Sequence, residues 1–314
     1  MFISLSGQLG SGKSTLCLYL KNHKNFEIFS TGTIHRKLAN ERKLSTLEFN
    51  KLITGDRSFD LLIDEEMKKF AAENADTDTV FDSRMAWHFV KDSFKVFLLV
   101  SPKVAAERVF FNRVLQEEKY ATKEDALKEL IGRREIENVR FKEFYNVDCN
   151  DYKNYDLFID TSRISTEEIA DIIFCAYEYH SCGKPYKKCF ISPQNIYPIG
   201  RLSPEEIKQA QRLAEVINND PTGGYLSGLS SQEVPLIKIK NQFFLHDGLV
   251  SVMAAVKAGV DIMRADIVYD ESGILPDGTA VLDYVRTNTT VKDIKAWEKE
   301  KGFVFGYYPE IIAE

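Results

Sequence analysis

The sequence predicts an α/β protein, with a parallel sheet flanked by helices over the first 180 residues and a smaller α+β domain after it. Three observations carry this. Strand-like and helix-like patterns alternate from residue 1 to about 180. A glycine-rich loop, GQLGSGKST at 7–15, joins the first strand to the first helix. The pattern then breaks at SCGKPYKKC, residues 181–189. Strand and helix in alternation imply a parallel sheet covered on both faces. The 314 residues also exceed the roughly 100–200 of one domain. The expected division is therefore 1–180, a linker at 181–187, and 188–314.

The elements follow in order. MFISLSG is a short apolar strand and KSTLCLYLKNH a helix; FEIFST is a second strand and TIHRKLANERK a second helix. VFDSR, FKVFLLVS and YDLFIDTS are the third to fifth strands. A long charged stretch of helical spacing, residues 102–145, separates the last two. STEEIADIIFCAYEYH opens with Ser165 and Glu168 at capping-box spacing. Beyond the linker come a short extended segment, ISPQNIYPIG, and a helix opened by Ser203 and Glu206. A Gly-rich loop, DPTGGYLSGLSSQE, precedes the paired strands PLIKIK and QFFLHD. A helix closed by Gly259 and the strand DIMRADIVYD complete the readable part, and 271–314 has no assignment.

Composition narrows the partners. A formal charge of -6 provides no basic field to draw nucleic acid, and 44% hydrophobic residues suit a soluble globular chain. The five cysteines include no C-x-x-C pair, which favours a reduced setting. His180, Cys182 and Cys189 match no common zinc spacing and read as linker residues. No apolar run reaches the ~18 residues of a membrane helix, and no leader-like segment precedes the first strand. The expectation is a cytoplasmic protein without membrane contact.

Gly7-x-x-x-x-Gly12-Lys13-Ser14 fits the Walker A pattern, after a strand and before a helix as that motif requires. Gly7, Gly10, Ser11, Gly12 and Thr15 belong to a loop whose backbone N–H groups face phosphates. Lys13 reaches the β- and γ-phosphates, and Ser14 is the expected magnesium ligand. ATP and Mg²⁺ are thus the expected cofactors, but the loop by itself names no acceptor.

FSTGTIHRKLA resembles the acceptor segment of nucleoside monophosphate kinases, a Thr-Gly turn leading into a helix with an arginine. The resemblance implies that Thr31, Gly32 and Arg36 bind the acceptor. VFDSRMAW narrows the likeness to the cytidylate kinase family, whose members carry Asp-Gly-Arg where this chain has Asp82, Ser83 and Arg84. Arg84 then looks like a second acceptor contact, and Asp82 orients the acceptor or the metal's water shell. The charged helical stretch resembles that family's lid. Within it Arg133, Glu137 and Arg140 share one helical face, and Arg108 and Arg113 lie on the preceding helix. The resemblance makes Arg113, Arg133 and Arg140 catalytic with Lys13, and Arg108 an ATP contact. IDTS at 159–162 resembles the turn near the adenine. The implied fold is a P-loop kinase with a helical lid.

The segment PLIKIKNQFFLHDGLVSVMAAVKAGVDIMRADIV resembles the ParB/sulfiredoxin-like fold over about 188–270. That fold's nucleotide-binding members carry His or Arg just after the Asp-Gly turn, where this chain has Leu249, Val250 and Ser251. His246 and Asp247 could face a ligand or simply form a turn with an Asp cap. The reading is a ligand-binding, docking or dimerising module, with a homodimer through this domain as one possibility.

Three functions stay open on the sequence. The first is transfer of the γ-phosphoryl group of ATP to a small phosphate-bearing acceptor such as CMP or dCMP. The second is a kinase of an unusual nucleotide, nucleoside or other metabolite. The third is an ATP-dependent sensor or scaffold without turnover.

Overall fold

A computed structural model describes residues 1–44, 46–53, 57–113, 122–186, 188–219, 233–305 and 308–312. The Gly-rich loop read from 220 lies outside them up to residue 232. The chain divides into unit 1, Met1–Pro185, and unit 2, Tyr186–Glu314.

Unit 1 begins with β1 (Phe2–Gly7), α1 (Lys13–Lys24), β2 (Glu27–Ser30) and α2 (Thr31–Glu41). Next come α3 (Thr46–Leu52) and α4 (Arg57–Glu73), which the sequence reading did not register. They are followed by β3 (Thr79–Asp82), α5 (Ala86–Phe89), β4 (Phe94–Leu99), α6 (Pro102–Arg113), α7 (Lys123–Tyr145), β5 (Leu157–Asp160) and α8 (Thr166–Ser181). The strands stand in the order β2-β3-β1-β4-β5 and pair in parallel throughout.

Such a sheet is buried on both faces, which is why its strands read as apolar runs rather than alternations. Ile3, Leu5, Val80, Leu98, Leu157 and Ile159 are fully buried, as are Leu16 and Leu20 of the covering helix α1. Ser165 and Glu168 form the expected capping box of α8. The strand order reverses at β1, which lies between β3 and β4, so the carboxyl end of β1 opens onto the crevice where α/β sheets bind ligands.

Unit 2 contains β6 (Cys189–Ile191), β7 (Ile196–Tyr197), α9 (Pro204–Asn218), β8 (Val234–Ile239), β9 (Gln242–Leu245), α10 (Leu249–Lys257), β10 (Met263–Asp270), α11 (Val281–Asn288) and α12 (Val291–Lys301). Its sheet is mixed, β6-β10-β8-β9-β7, with β8 and β9 as the antiparallel pair expected. Ser203 and Glu206 cap α9. The two last helices fill part of the stretch that the sequence left unassigned.

The Asp-Gly turn departs from expectation. Gly248, at φ +93°, is the N-cap of α10, and no side chain caps that helix. Asp247 instead accepts from the Gly248 N–H at 2.6 Å, and His246 packs edge-on to Tyr269 and Tyr284. No described helix is long and apolar enough to cross a membrane, and the described residues hold no metal-binding cluster.

Candidate functional site

The loop after β1 is shaped by what it packs against. A Cβ on Gly7 (φ +151°) would lie 2.5 Å from the Leu98 carbonyl oxygen, and one on Gly10 (φ +79°) 2.9 Å from Ala105 Cα. Neither contact is tolerable, so only glycine lets the loop lie flat on β4 and α6. Gln8 fastens it further: its N–H donates to Leu98 O at 2.9 Å, and its Oε1 accepts from the Val100 N–H at 2.9 Å.

Lys13, the first residue of α1, folds back so that Nζ donates to Gly7 O at 3.1 Å and Gln8 O at 3.2 Å. Burial pushes this ammonium down to about 8, against the pull of Asp82 and Glu137 and with the push of Arg84. These interactions place Lys13, Asp82, Arg84 and Glu137 within one electrostatic neighbourhood at the end of β1. Ser11 Oγ is buried there without a hydrogen-bond partner. Ser14 and Thr15 follow on the exposed first turn of α1.

Behind the loop, Thr161 is fully buried at the end of β5. Its hydroxyl lies 2.9 Å from Ser11 O and 3.0 Å from Leu99 O, and accepts from Arg108 Nη1 at 3.1 Å. Arg108 also donates to Thr161 O at 2.6 Å and Gly10 O at 3.4 Å. Arg108 therefore braces the loop from β5, and burial lowers its pKa. Thr161 was readable from the IDTS turn but was not singled out.

Thr31, Gly32 and Asp82, which the resemblance expects to meet an acceptor, gather at the end of β3. Ser30 caps α2, accepting from the Thr33 N–H at 3.4 Å while donating to Asp82 Oδ2 at 3.1 Å; Thr31 Oγ1 donates to Asp82 O at 3.4 Å. Thr31 and Gly32 thus begin α2 beside Asp82. Ser83, where the family has glycine, accepts from the Met85 N–H at 3.2 Å and so shapes the entry to α5. Its carbonyl receives Ser6 Oγ at 3.0 Å.

Arg84 Nη1 pairs with Glu137 Oε2 at 2.7 Å, while Arg84 Nη2 is buried and makes no hydrogen bond. Beside it Arg134 Nη2 donates to Asn150 Oδ1 at 2.8 Å. Burial, and then the charge of Arg84, push Arg134 down to about 10. The narrow space they face is lined by Ser6, Gly7, Arg84, Arg134, Asn138 and Tyr155.

The lid arginines do not distribute as the sequence suggested. Arg140 was expected above the transferring phosphoryl group. It is buried instead on Asp60 of α4, with Nε 3.5 Å from Oδ2 and the guanidinium 5.1 Å from the Phe141 ring. The physical reason is Asp60 itself, a buried carboxylate that needs a countercharge, on a helix the sequence reading passed over. Arg134, which the sequence reading did not single out, is the α7 arginine beside Arg84. Its signal was the i, i+3 relation to Glu137, which puts both on one face of α7. Arg36, Arg113 and Arg133 stand on α2, α6 and α7, and their side chains lie outside the described residues.

The orphaned Ser11 hydroxyl and Arg84 Nη2, and an ammonium satisfied only by carbonyls, fit a chain of phosphates over the loop. The exposed Ser14 hydroxyl fits the coordination of a cation by oxygen.

The model of the Cytidylate kinase-like family matches residues 2–163. The cytidylate kinase of Methanocella arvoryzae is 32% identical over 178 residues, covering 57% of this chain and 97% of its own. That of Methanothrix thermoacetophila is 36% identical over 163 residues, covering 52% and 90%. An S-adenosylmethionine-dependent nucleotide dehydratase of Lacinutrix mariniflava is 32% identical over 231 residues. That match takes in 67% of this chain, so it extends beyond the 185 residues of unit 1. It covers 47% of the relative, so the chain spans about half of that protein's length.

Proposed function

The chain belongs to the Cytidylate kinase-like family, and on that premise we propose that it is a nucleotide kinase moving the γ-phosphoryl group of ATP to a nucleoside monophosphate of the CMP or dCMP type. The supporting observation is the convergence of Lys13, Asp82, Arg84 and Glu137 at the end of β1, with Arg134 beside them.

Phosphoryl transfer asks little covalent work of a protein, so placement and positive charge are the mechanism. Loop N–H groups and Lys13 hold the β- and γ-phosphates. Arg84 and Arg36 hold the acceptor phosphate, whose oxygen is already anionic and needs no strong base. That oxygen bonds to the γ-phosphorus as the bond to the β-bridging oxygen breaks, and Arg134 faces the charge that gathers there. Ser14, with Asp82 through water, would hold magnesium, which would supply positive charge to neutralise the phosphates. Helix α7, carrying Arg134 and Glu137, closes the site to water. Arg133 and Arg113 remain proposed contributors from the same lid.

A second reading keeps the chemistry but changes the acceptor to an unusual nucleotide. It is favoured by Ser83 in place of the family's glycine and by the extension of the dehydratase match into unit 2. For unit 2 we keep the ParB/sulfiredoxin-like reading as a proposal, supported by the succession of hairpin, Asp-Gly turn and α10.

The test is a panel of monophosphates and nucleosides incubated with ATP and magnesium, with product masses measured. Rapid diphosphate formation with CMP or dCMP supports the first reading, and turnover with another nucleotide alone supports the second. ATP binding without any turnover refutes both in favour of a sensor or scaffold. Lys13→Ala should lower kcat by ~100-fold or more, the scale for losing a preorganised donor to transition-state charge.

A further inference from the structure

A second cleft opens on unit 1, and none of its lining residues belongs to the loop or to the Arg84–Glu137 pair. Its volume is about 360 Å³, within the ~300–1,000 Å³ of small-molecule sites. One face of α4 forms its length, with Arg57, Leu61, Asp64, Glu65 and Lys68 at helical spacing. Phe89 of α5 and Tyr145 at the end of α7 close it. Along α7 the buried Arg140 and Phe141 come between Glu137 and Tyr145 in sequence, and the cleft shares no lining residue with the narrow space beside Arg84.

Its chemistry is mixed in a particular way. The Tyr145 hydroxyl donates to Asp64 Oδ2 at 2.5 Å. The Arg57 guanidinium lies 5.5 Å from the Tyr145 ring centre and the Lys68 ammonium 4.9 Å from that of Phe89. Among the described residues neither cation makes an ion pair. Burial pushes Asp64 up to about 6, so at pH 7.5 it is mostly the carboxylate, an acceptor only. His88 at the rim is lowered by burial and by Lys68, and is neutral there. Partly exposed aromatic rings, each with a cation over it, and the carboxylates of the buried Asp64 and the exposed Glu65 together match a planar base bearing amino hydrogens and joined to a phosphate.

We propose that this cleft is a second ligand site, for a nucleotide whose base carries an exocyclic amine. The base lies against Phe89 and Tyr145, its amine donates to Asp64, and its phosphate meets Lys68 or Arg57.

The test is calorimetric titration of the full chain with CMP at pH 7.5, in wild type and in the variant R57A/K68A. Both residues are exposed, and circular dichroism checks the fold. The wild type should bind one CMP equivalent more than the variant, with acceptor KM unchanged by the substitutions. UMP, lacking the amine, should fill the extra site at least tenfold more weakly, and Asp64→Asn should erase that preference. Equal stoichiometry in wild type and variant overturns the proposal. So does a raised acceptor KM at unchanged stoichiometry, which would make the cleft part of the acceptor site. Displacement of the extra CMP by inorganic triphosphate but not by cytidine would overturn the recognition of the base. Binding is read without phosphoryl transfer, so this inference and the kinase reading fail independently.

Discussion

Glu137→Gln removes one charge and almost no volume, and the structure makes its cost calculable. Glu137 is 8% exposed, and the Arg84 guanidinium that it meets at 2.7 Å is 17% exposed. Arg134 lies close enough for Arg84 to depress its pKa, so the carboxylate also screens two like charges. Removing one partner of a buried pair costs about 3–5 kcal/mol, chiefly through the charge left behind. At ~2–4 °C per kcal/mol for a unit of this size, the melting temperature should fall by roughly 10 °C. A phosphate-bearing ligand brings its own negative charge to Arg84. Saturating ATP with CMP should therefore stabilise Glu137→Gln more than it stabilises the wild type. Thermal unfolding of both proteins, with and without ligands, measures both effects. A fall of under ~2 °C, or equal stabilisation of both by ligand, would refute the claim that Glu137 stands in for an anion between Arg84 and Arg134.

Further outcomes follow from the same site. The Lys13 ammonium, at about 8 in the loop, is mostly neutral at pH 9 and regains its proton against phosphates. ATP binding should then take up close to one proton at pH 9 and almost none at pH 6.5, as read by calorimetry in buffers of different ionisation enthalpy; equal uptake at both would contradict the assignment. The same shift sets a stability slope. Because the folded pKa lies below the unfolded 10.5, the unfolded chain binds more protons between pH 8 and 10.5, and this residue's contribution to stability rises with pH across that window. Arg36→Ala should raise the acceptor KM by ~10-fold or more and leave the ATP KM nearly unchanged; equal losses would move Arg36 off the acceptor. Thr161→Val, of nearly the same shape, removes the hydroxyl that meets Ser11 O and Arg108 Nη1 while keeping the bond from Arg108 Nη2 to Thr161 O; it should cost about 1–3 kcal/mol and raise the ATP KM, whereas an unchanged KM would show that hydroxyl to be dispensable.

How much the sequence disclosed depended on whether a residue's role is local. The loop was legible because Gly7, Gly12, Lys13 and Ser14 act through the backbone that carries them, at fixed spacing. The capping boxes at Ser165 and Ser203 were legible for the same reason, each being closed within four residues. Arg140 misled because its partner, Asp60, comes from eighty positions earlier on a helix flanked by weak signals. Arg134 was overlooked because its place is set by Arg84 and Asn150, on separate segments. Spacing along α7 gives the face of a helix but not which neighbour meets it.

The Thr161 bridge also has a bearing on when the protein becomes competent during synthesis. Ser11 and Thr161 are 150 positions apart, and a ribosome delivers them in that order. The opening strand and its loop emerge first and are fastened to β4 through Gln8, yet the hold from Thr161 and Arg108 is missing until β5 has left the exit tunnel and slotted in beside β4. A nascent chain halted before that strand should retain no ATP, and one halted after it should, so nucleotide capture marks the moment when the sheet of unit 1 is finished.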